Sequence, residues 1–109
     1  MSSNSKTRIE QLRQLLKQEP NDSFLNYALA LEYLKTQNHA EAIAVLEKIL
    51  EKNTNYLAAY YQLGKAYEQA AQPQQAIVTY KRGMEIAKAQ QNQKTVKELN
   101  EALMFVEEE

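Results

Sequence analysis

One segment of the chain reads Tyr60-Tyr61-Gln62-Leu63-Gly64-Lys65-Ala66-Tyr67, and a later one reads Ala76-Ile77-Val78-Thr79-Tyr80. Apolar and small residues recur in both at spacings of three and four, which places them on one face of an α-helix. Pro73 lies between the segments, and proline is well tolerated at the first position of a helix. The two segments therefore predict a helix, a tight turn and a second helix.

The same arrangement occurs 34 residues earlier in the chain. When residues 23–56 are compared with residues 57–90, six positions are identical. They are Tyr27/Tyr61, Leu29/Leu63, Tyr33/Tyr67, Ala42/Ala76, Ile43/Ile77 and Glu51/Glu85. Most of them fall where the two helices of a hairpin must pack, so we interpret the two stretches as copies of one structural repeat.

Small residues also occupy corresponding places in the two copies. Ala30 corresponds to Gly64, and Ala42 corresponds to Ala76. Two helices can approach closely only where a side chain is nearly absent. A glycine in a helix gives up about 0.5–1 kcal/mol relative to alanine. Gly64 is therefore predicted to lie where two helices cross.

These motifs resemble those of tetratricopeptide repeat proteins, in which each unit of about 34 residues is a helix, a turn and a second helix. Residues 57–90 carry the better match, and residues 23–56 carry Asn26-x-x-Leu29-Ala30-x-x-Tyr33. Asn26 departs from the usual aromatic residue, and neither repeat has the closing proline. The resemblance implies an all-α fold, a right-handed α-solenoid of six antiparallel helices.

The flanking stretches complete this architecture as half-repeats, giving one domain over residues 7–106. The expected units are a first helix at 7–18, repeats at 23–56 and 57–90, and a closing helix at 94–106. Ser/Thr-x-x-Glu patterns at Thr7 and Thr95 predict capping boxes that open the first and last helices. Further turn and cap residues are expected at Asp22 or Ser23, at Asn38, and at Asn92, which is expected in the left-handed conformation.

Composition excludes several classes of function. The 109 residues include no cysteine, and the net charge of -1 provides no basic patch for nucleic acid. The longest apolar run, residues 56–61, is too short to span a bilayer. No secretory signal is apparent at the N-terminus. We therefore expect a cytoplasmic protein that binds neither nucleic acid nor membrane.

Catalytic and metal-binding patterns are also missing from the sequence. His39 is the only histidine, Asp22 is the only aspartate, and no Gly-rich phosphate loop is present. The glutamates lie at positions typical of solvated helix faces, next to lysines. The sequence therefore predicts no enzyme, no cofactor and no metal site.

The tyrosines are more informative, because two of them lie outside the motif positions. Tyr33, Tyr60, Tyr67 and Tyr80 occupy core positions of the family pattern. Tyr27 and Tyr61 lie one place later, on the face that lines the concave groove of such proteins. The resemblance thus implies a peptide-binding groove, whose candidate residues are Phe24, Tyr27, Leu31, Tyr61, Lys65, Glu68 and Lys97, with Glu101 and Met104 continuing it on the last helix. The alternative is that these side chains only seal neighbouring helices.

One subtype of groove can be tested against the sequence. Chaperone-adaptor members of the family bind a C-terminal carboxylate with Lys and Asn residues on successive first helices. The corresponding positions here are Tyr27, Leu31, Tyr61, Lys65, Lys97 and Glu101. Only two of them are basic and none is Asn, which argues against a carboxylate clamp.

The sequence therefore favours a protein-interaction module that holds a peptide or helix of an unknown partner protein in its concave groove. The alternative is a structural protein that forms a homodimer through a terminal helix. That alternative rests on Ile9, Met104 and Phe105, apolar residues that half-repeats are expected to leave partly uncovered.

Overall fold

The computed structural model describes the backbone of residues 2–108 and the side chains of residues 4–108. In this part of the chain all regular structure is helical, which confirms the all-α prediction. The six helices are α1 (Ser2–Gln18), α2 (Ser23–Lys35), α3 (His39–Lys52), α4 (Leu57–Gln69), α5 (Pro73–Ala89) and α6 (Gln93–Glu107).

Each helix packs mainly on its neighbours in sequence, from α1 on α2 through to α5 on α6. Connections of three or four residues join them, and such short connections make neighbouring helices antiparallel. α4 packs on both α3 and α5 and also approaches α6. This stacking of one helix pair on the next is the architecture of an α-solenoid.

The core consists of two groups of buried side chains. The larger one joins α3, α4, α5 and α6, and its largest fully buried members are Tyr60, Tyr80, Leu46 and Leu99. The smaller one fastens α1 to α2 and α3 through residues that include Ile9, Leu12 and Tyr33. The predicted core positions of Tyr33, Tyr60, Tyr67 and Tyr80 are confirmed, because all four are buried.

Small residues lie where the helices of the larger core cross. Gly64 lies directly against the ring of Tyr80, which confirms the predicted crossing at that position. Gly83 plays the same part on α5, where an added Cβ would lie 2.6 Å from Tyr60 Cβ and 3.0 Å from Leu99 Cδ1. Gly83 lies outside the motif residues, so the sequence pattern did not predict this second close contact.

Three of the turns share one backbone geometry. Gln37, Ala71 and Gln91 have positive φ angles of 62°, 59° and 59°. The next residue in each turn donates its N–H to a carbonyl five residues back, as Gln72 does to Tyr67 at 2.8 Å. A left-handed residue followed by this bond is the Schellman arrangement that ends many helices.

Both predicted helix starts, at Thr7 and at Thr95, are wrong. α1 begins at Ser2, so Thr7 lies in its second turn and cannot open the helix. Asn92 is not the left-handed residue, since its φ is -94° and the positive φ falls on Gln91. Instead, the Asn92 side chain accepts a hydrogen bond from the Thr95 N–H and caps α6, which begins at Gln93.

The other two predicted caps have different outcomes. The Asp22 side chain accepts a hydrogen bond from the Leu25 N–H at 2.9 Å, as expected for the start of α2. Asn38 precedes α3 as expected, but its side chain donates to the Thr36 hydroxyl and forms no capping bond.

Candidate functional site

An open groove of about 450 Å³ lies between α4 and α6. α5 packs against both helices and connects them, whereas α4 and α6 themselves meet at few points, which leaves the space open. Its lining consists of Tyr61 and Lys65 from α4 and Glu98, Glu101, Ala102 and Phe105 from α6. The volume falls within the range of about 300–1,000 Å³ found for ligand sites.

Helical spacing places these side chains on the groove. Tyr61 and Lys65 are four residues apart and share one face of α4, while Leu63 and Tyr67 point into the core. The α6 residues follow spacings of three, four and seven. Phe105 is 72% exposed and Tyr61 is 37% exposed, so the groove has aromatic surface on both sides.

Lys65 is held by groups on its own helix. Its Nζ lies 3.9 Å from the Glu68 carboxylate and 5.5 Å from the centre of the Tyr61 ring. The Tyr80 hydroxyl donates a hydrogen bond to the same Glu68 carboxylate. Burial, that hydrogen bond and the nearby negative charge raise the pKa of Tyr80. Glu68 is therefore a fixed acceptor that connects the core to the groove edge.

The two glutamates of α6 that line the groove have no such partner. Glu98 and Glu101 are exposed, and none of the ion pairs within residues 4–108 includes either of them. Lys94 and Lys97 precede them by one helical turn, and neither lysine lines the groove. The groove therefore presents two free carboxylates, while its single lining ammonium is already paired.

The structure gathers only part of the predicted set of groove residues. Tyr61 and Lys65 line the groove, and Glu101 of the expected continuation joins them. The remaining members of the set, Phe24, Tyr27, Leu31, Glu68 and Lys97, lie outside this lining.

The α2 members of the predicted set form a separate strip. Phe24 is 71% exposed and Leu31 is also exposed, whereas Tyr27 is half-buried with its ring centre 5.5 Å from that of Tyr56. Phe24, Tyr27 and Leu31 follow spacings of three and four, so they share one face of α2. Tyr27 therefore packs against a neighbouring segment while the other two present apolar surface to solvent.

Three groove residues were missed by sequence reasoning, namely Glu98, Ala102 and Phe105. The expected face of the last helix ran through Lys97, Glu101 and Met104, rotated by about one residue. The buried stripe of α6 could have identified these three residues, because the residues beside that stripe must face α4. The stripe consists of Leu99, Leu103 and Val106. The expectation of an uncovered Ile9 is wrong, since Ile9 is buried against α2 and α3.

A second depression, of about 370 Å³, lies between α3 and α5. It shares no lining residue with the groove, and Val78 is its most exposed apolar residue. Among the described side chains, no three His, Asp or Glu residues are grouped as a metal site would need. Nor does any helix in the described part of the chain have the length and apolar character to cross a membrane.

Comparison with known proteins gives a consistent result. A family model described as tetratricopeptide repeat matches residues 33–99. The tetratricopeptide repeat domain protein of Salinibacter ruber, solved by NMR, is 41% identical with a TM-score of 0.76, over 81% of this chain and 89% of that one. The search of curated proteins found no match.

Two structures of lower identity have the same fold. The TPR2B domain of yeast Sti1, solved as a complex with pHsp70, is 20% identical with a TM-score of 0.89, over 97% of this chain and 85% of that one. The first TPR of Spaghetti (RPAP3), bound to the HSP90 peptide SRMEEVD, is 19% identical with a TM-score of 0.74, over 94% and 82%.

Proposed function

The chain belongs to the tetratricopeptide repeat family, and we propose that it is a protein-interaction module holding a segment of a partner protein in the groove between α4 and α6. The observation that carries the proposal is the pair of exposed rings, Tyr61 and Phe105, on opposite sides of that groove. Exposed aromatic side chains beside a concave surface are typical of peptide and helix recognition.

Two relatives of the same fold support this class of function. The Sti1 domain was solved with pHsp70 and the RPAP3 domain with an HSP90 peptide. These complexes support the binding of a protein segment by this fold. Because the identities are only 20% and 19%, they do not indicate the sequence of the segment that this chain would bind. The groove lining contains no histidine and no hydroxyl besides that of Tyr61, which favours binding over catalysis.

We extend the proposed binding surface to α2. Phe24 and Leu31 expose apolar surface on one face of that helix, with Tyr27 between them. α2 and α4 are the first helices of successive repeats, so a bound segment that follows the solenoid passes from one to the other. In this proposal Tyr61 and Lys65 contact the centre of the segment, and Phe24 contacts one end.

Site-specific photo-cross-linking tests the proposal. A photoreactive phenylalanine analogue replaces Phe105 in one variant and Val78 in the control, and both are expressed in the native cells. Val78 is similarly exposed but lines the separate depression between α3 and α5. We expect the groove position to cross-link one segment of a partner protein that the control position does not reach.

Loss of the aromatic wall provides the matching functional test. Tyr61→Ala should keep the fold, because the ring is partly exposed, and should abolish the groove cross-link at position 105. If both cross-linker positions capture the same proteins, or if Tyr61→Ala leaves the groove cross-link unchanged, the groove is not the binding site.

Self-association is the second candidate function. Its supporting observation is that Met104 and Phe105 are both exposed on α6, the last helix of the solenoid. Light scattering over a concentration series tests it. A concentration-dependent dimer that Phe105→Ser converts to a monomer would support self-association, and a monomer throughout would exclude it.

A further inference from the structure

The charges around the groove determine which segments it can accept. The lining carries two carboxylates, Glu98 and Glu101, and one ammonium, Lys65. Lys65 is already shared between the Glu68 carboxylate and the Tyr61 ring. The free charge that lines the groove is therefore negative.

The lysines of α6 do not cancel this charge by direct pairing. Lys94 and Lys97 lie one turn before Glu98 and Glu101, but neither forms an ion pair with them in the described structure. Neither lysine lines the groove. Exposed pairs of this kind contribute only a few tenths of a kcal/mol in any case, so they do not prevent a ligand from competing for the carboxylates.

The aromatic walls restrict the ligand further. Phe105 follows Glu101 by one turn of α6, so its exposed ring stands beside the carboxylates. A planar guanidinium can pair with carboxylates through two parallel hydrogen bonds while its face stacks on an aromatic ring. A compact ammonium can do the first less well and has no planar face to stack. Arginine therefore fits this combination of groups better than lysine.

We propose that the groove selects a partner segment in which an arginine adjoins a large apolar residue. The guanidinium pairs with Glu98 and Glu101, and the apolar side chain packs between Tyr61 and Phe105. This inference rests on the proposed function of the groove and names the chemistry of its ligand. It also predicts rejection of segments that carry an acidic residue in place of that arginine, because their carboxylates would face Glu98 and Glu101.

Selection from a display library of random twelve-residue peptides tests the proposal on the full chain. Three proteins are compared, namely the natural chain, Tyr61→Ala, and the charge reversal Glu98→Lys/Glu101→Lys. Both glutamates are exposed, so the reversal should leave the fold intact, and its melting curve checks this. We expect the natural chain to enrich peptides with Arg beside an apolar residue. The charge reversal should enrich peptides with Asp or Glu at that place.

Binding of one selected peptide then gives the size of the effect. Replacing its Arg by Glu should weaken binding by about tenfold or more, measured by fluorescence polarisation, since two ion pairs are lost and two like-charge contacts replace them. The charge-reversed protein should restore binding of the Glu peptide.

The outcomes separate the ligand chemistry from the function itself. Peptides that are enriched and lost in Tyr61→Ala, but that show no basic residue or show an acidic one, leave the proposed function standing and overturn the arginine proposal. Enrichment of no peptide at all, or enrichment that is unchanged in Tyr61→Ala, overturns both. Arg enrichment that the charge reversal does not alter also overturns the arginine proposal, because Glu98 and Glu101 would then not be its partners.

Discussion

Gly64 lies against the ring of Tyr80, and a Cβ placed on Gly64 would fall 2.1 Å from Tyr80 Cε1. The ring is fully buried, and its hydroxyl is hydrogen-bonded to Glu68, so it has little freedom to move away. This contact brings α4 and α5 together. It also places Glu68 and Lys65 at the groove edge, so the crossing that stabilises the fold positions the groove as well.

Gly64→Ala is therefore expected to destabilise the protein by about 1–3 kcal/mol, although alanine is the better helix former. Urea unfolding measures the change. In a Tyr80→Leu background, which removes the ring atoms closest to the new Cβ, the same substitution should cost less. If Gly64→Ala is neutral or stabilising in the natural chain, the close crossing is not what glycine provides there.

The face of a helix could be predicted from the sequence wherever the motif residues themselves lie in the core. Tyr60, Gly64 and Tyr67 are buried as expected, because helical spacing determines one face once a few core residues are known. Once the core face of α4 is known, the same helical spacing shows on which side of the helix Tyr61 and Lys65 lie. Helical spacing gave the face of these residues, and the family resemblance implied that this face lines the groove.

The last helix could not be placed as well, because it lies outside the two aligned repeats at residues 23–56 and 57–90. A change of one residue rotates a helix by about 100°, and the expected face shifted from Phe105 to Met104.

The burial of Glu32 was missed for a different reason. Its charge predicted an exposed position, but packing of α1 on α2 covers it, and that contact depends on tertiary structure.

Ala71 adopts a left-handed conformation at the end of α4, with φ of 59°. That conformation is unfavourable by about 1–2 kcal/mol for residues with a Cβ, whereas glycine adopts it without this penalty. Ala71→Gly should therefore raise the free energy of unfolding by about 0.5–1 kcal/mol. Ala70→Gly is the matched control, because Ala70 has a φ of -86° and gains nothing from glycine. Thermal melting should show opposite signs for the two variants, and equal signs would contradict this reading of the turn.

The Tyr67 hydroxyl makes the stability of the folded protein depend on pH in the alkaline range. Burial, a hydrogen bond from its hydroxyl to the Glu47 carboxylate and the charge of that carboxylate raise the Tyr67 pKa from 10.0 to about 12. The folded state thus holds this proton more tightly than the unfolded chain does. The resulting stabilisation is complete below pH 10 and is lost as the pH rises toward 12. The free energy of unfolding should fall across this window.

Two variants test whether the Tyr67 hydroxyl causes this decrease in the free energy of unfolding. Tyr67→Phe should lower stability at neutral pH by about 0.5–1.5 kcal/mol, the net value of one hydrogen bond, and should make the decline between pH 10 and 12 shallower. Glu47→Gln should also make it shallower, because the negative charge is removed while an acceptor remains. Tyr80 contributes in the same direction, so some decline persists. An unchanged slope in both variants would contradict the assignment.

The carboxylate of Glu32 is buried between α1 and α2, with Oε2 at 3.5 Å from Arg8 Nε and 3.6 Å from Lys35 Nζ. Its Oε1 is buried without a hydrogen-bond partner, so the charge depends on those two cations. Arg8→Met should destabilise the protein by about 1–2 kcal/mol, less than for a fully buried pair because Arg8 is exposed.

A matched substitution on the same helix, Lys17→Met, should change the free energy of unfolding by less than about 0.5 kcal/mol. The double variant Arg8→Met/Glu32→Met should recover most of the loss, because a buried carboxylate left with Lys35 alone is costlier than an apolar side chain in its place. Urea unfolding compares all three. If Arg8→Met costs no more than Lys17→Met, or if Glu32→Met worsens the loss, then the ion pair is not what fastens α1 to the solenoid. If the double variant recovers stability, the packing of α1 depends on Arg8 because the Glu32 carboxylate is buried.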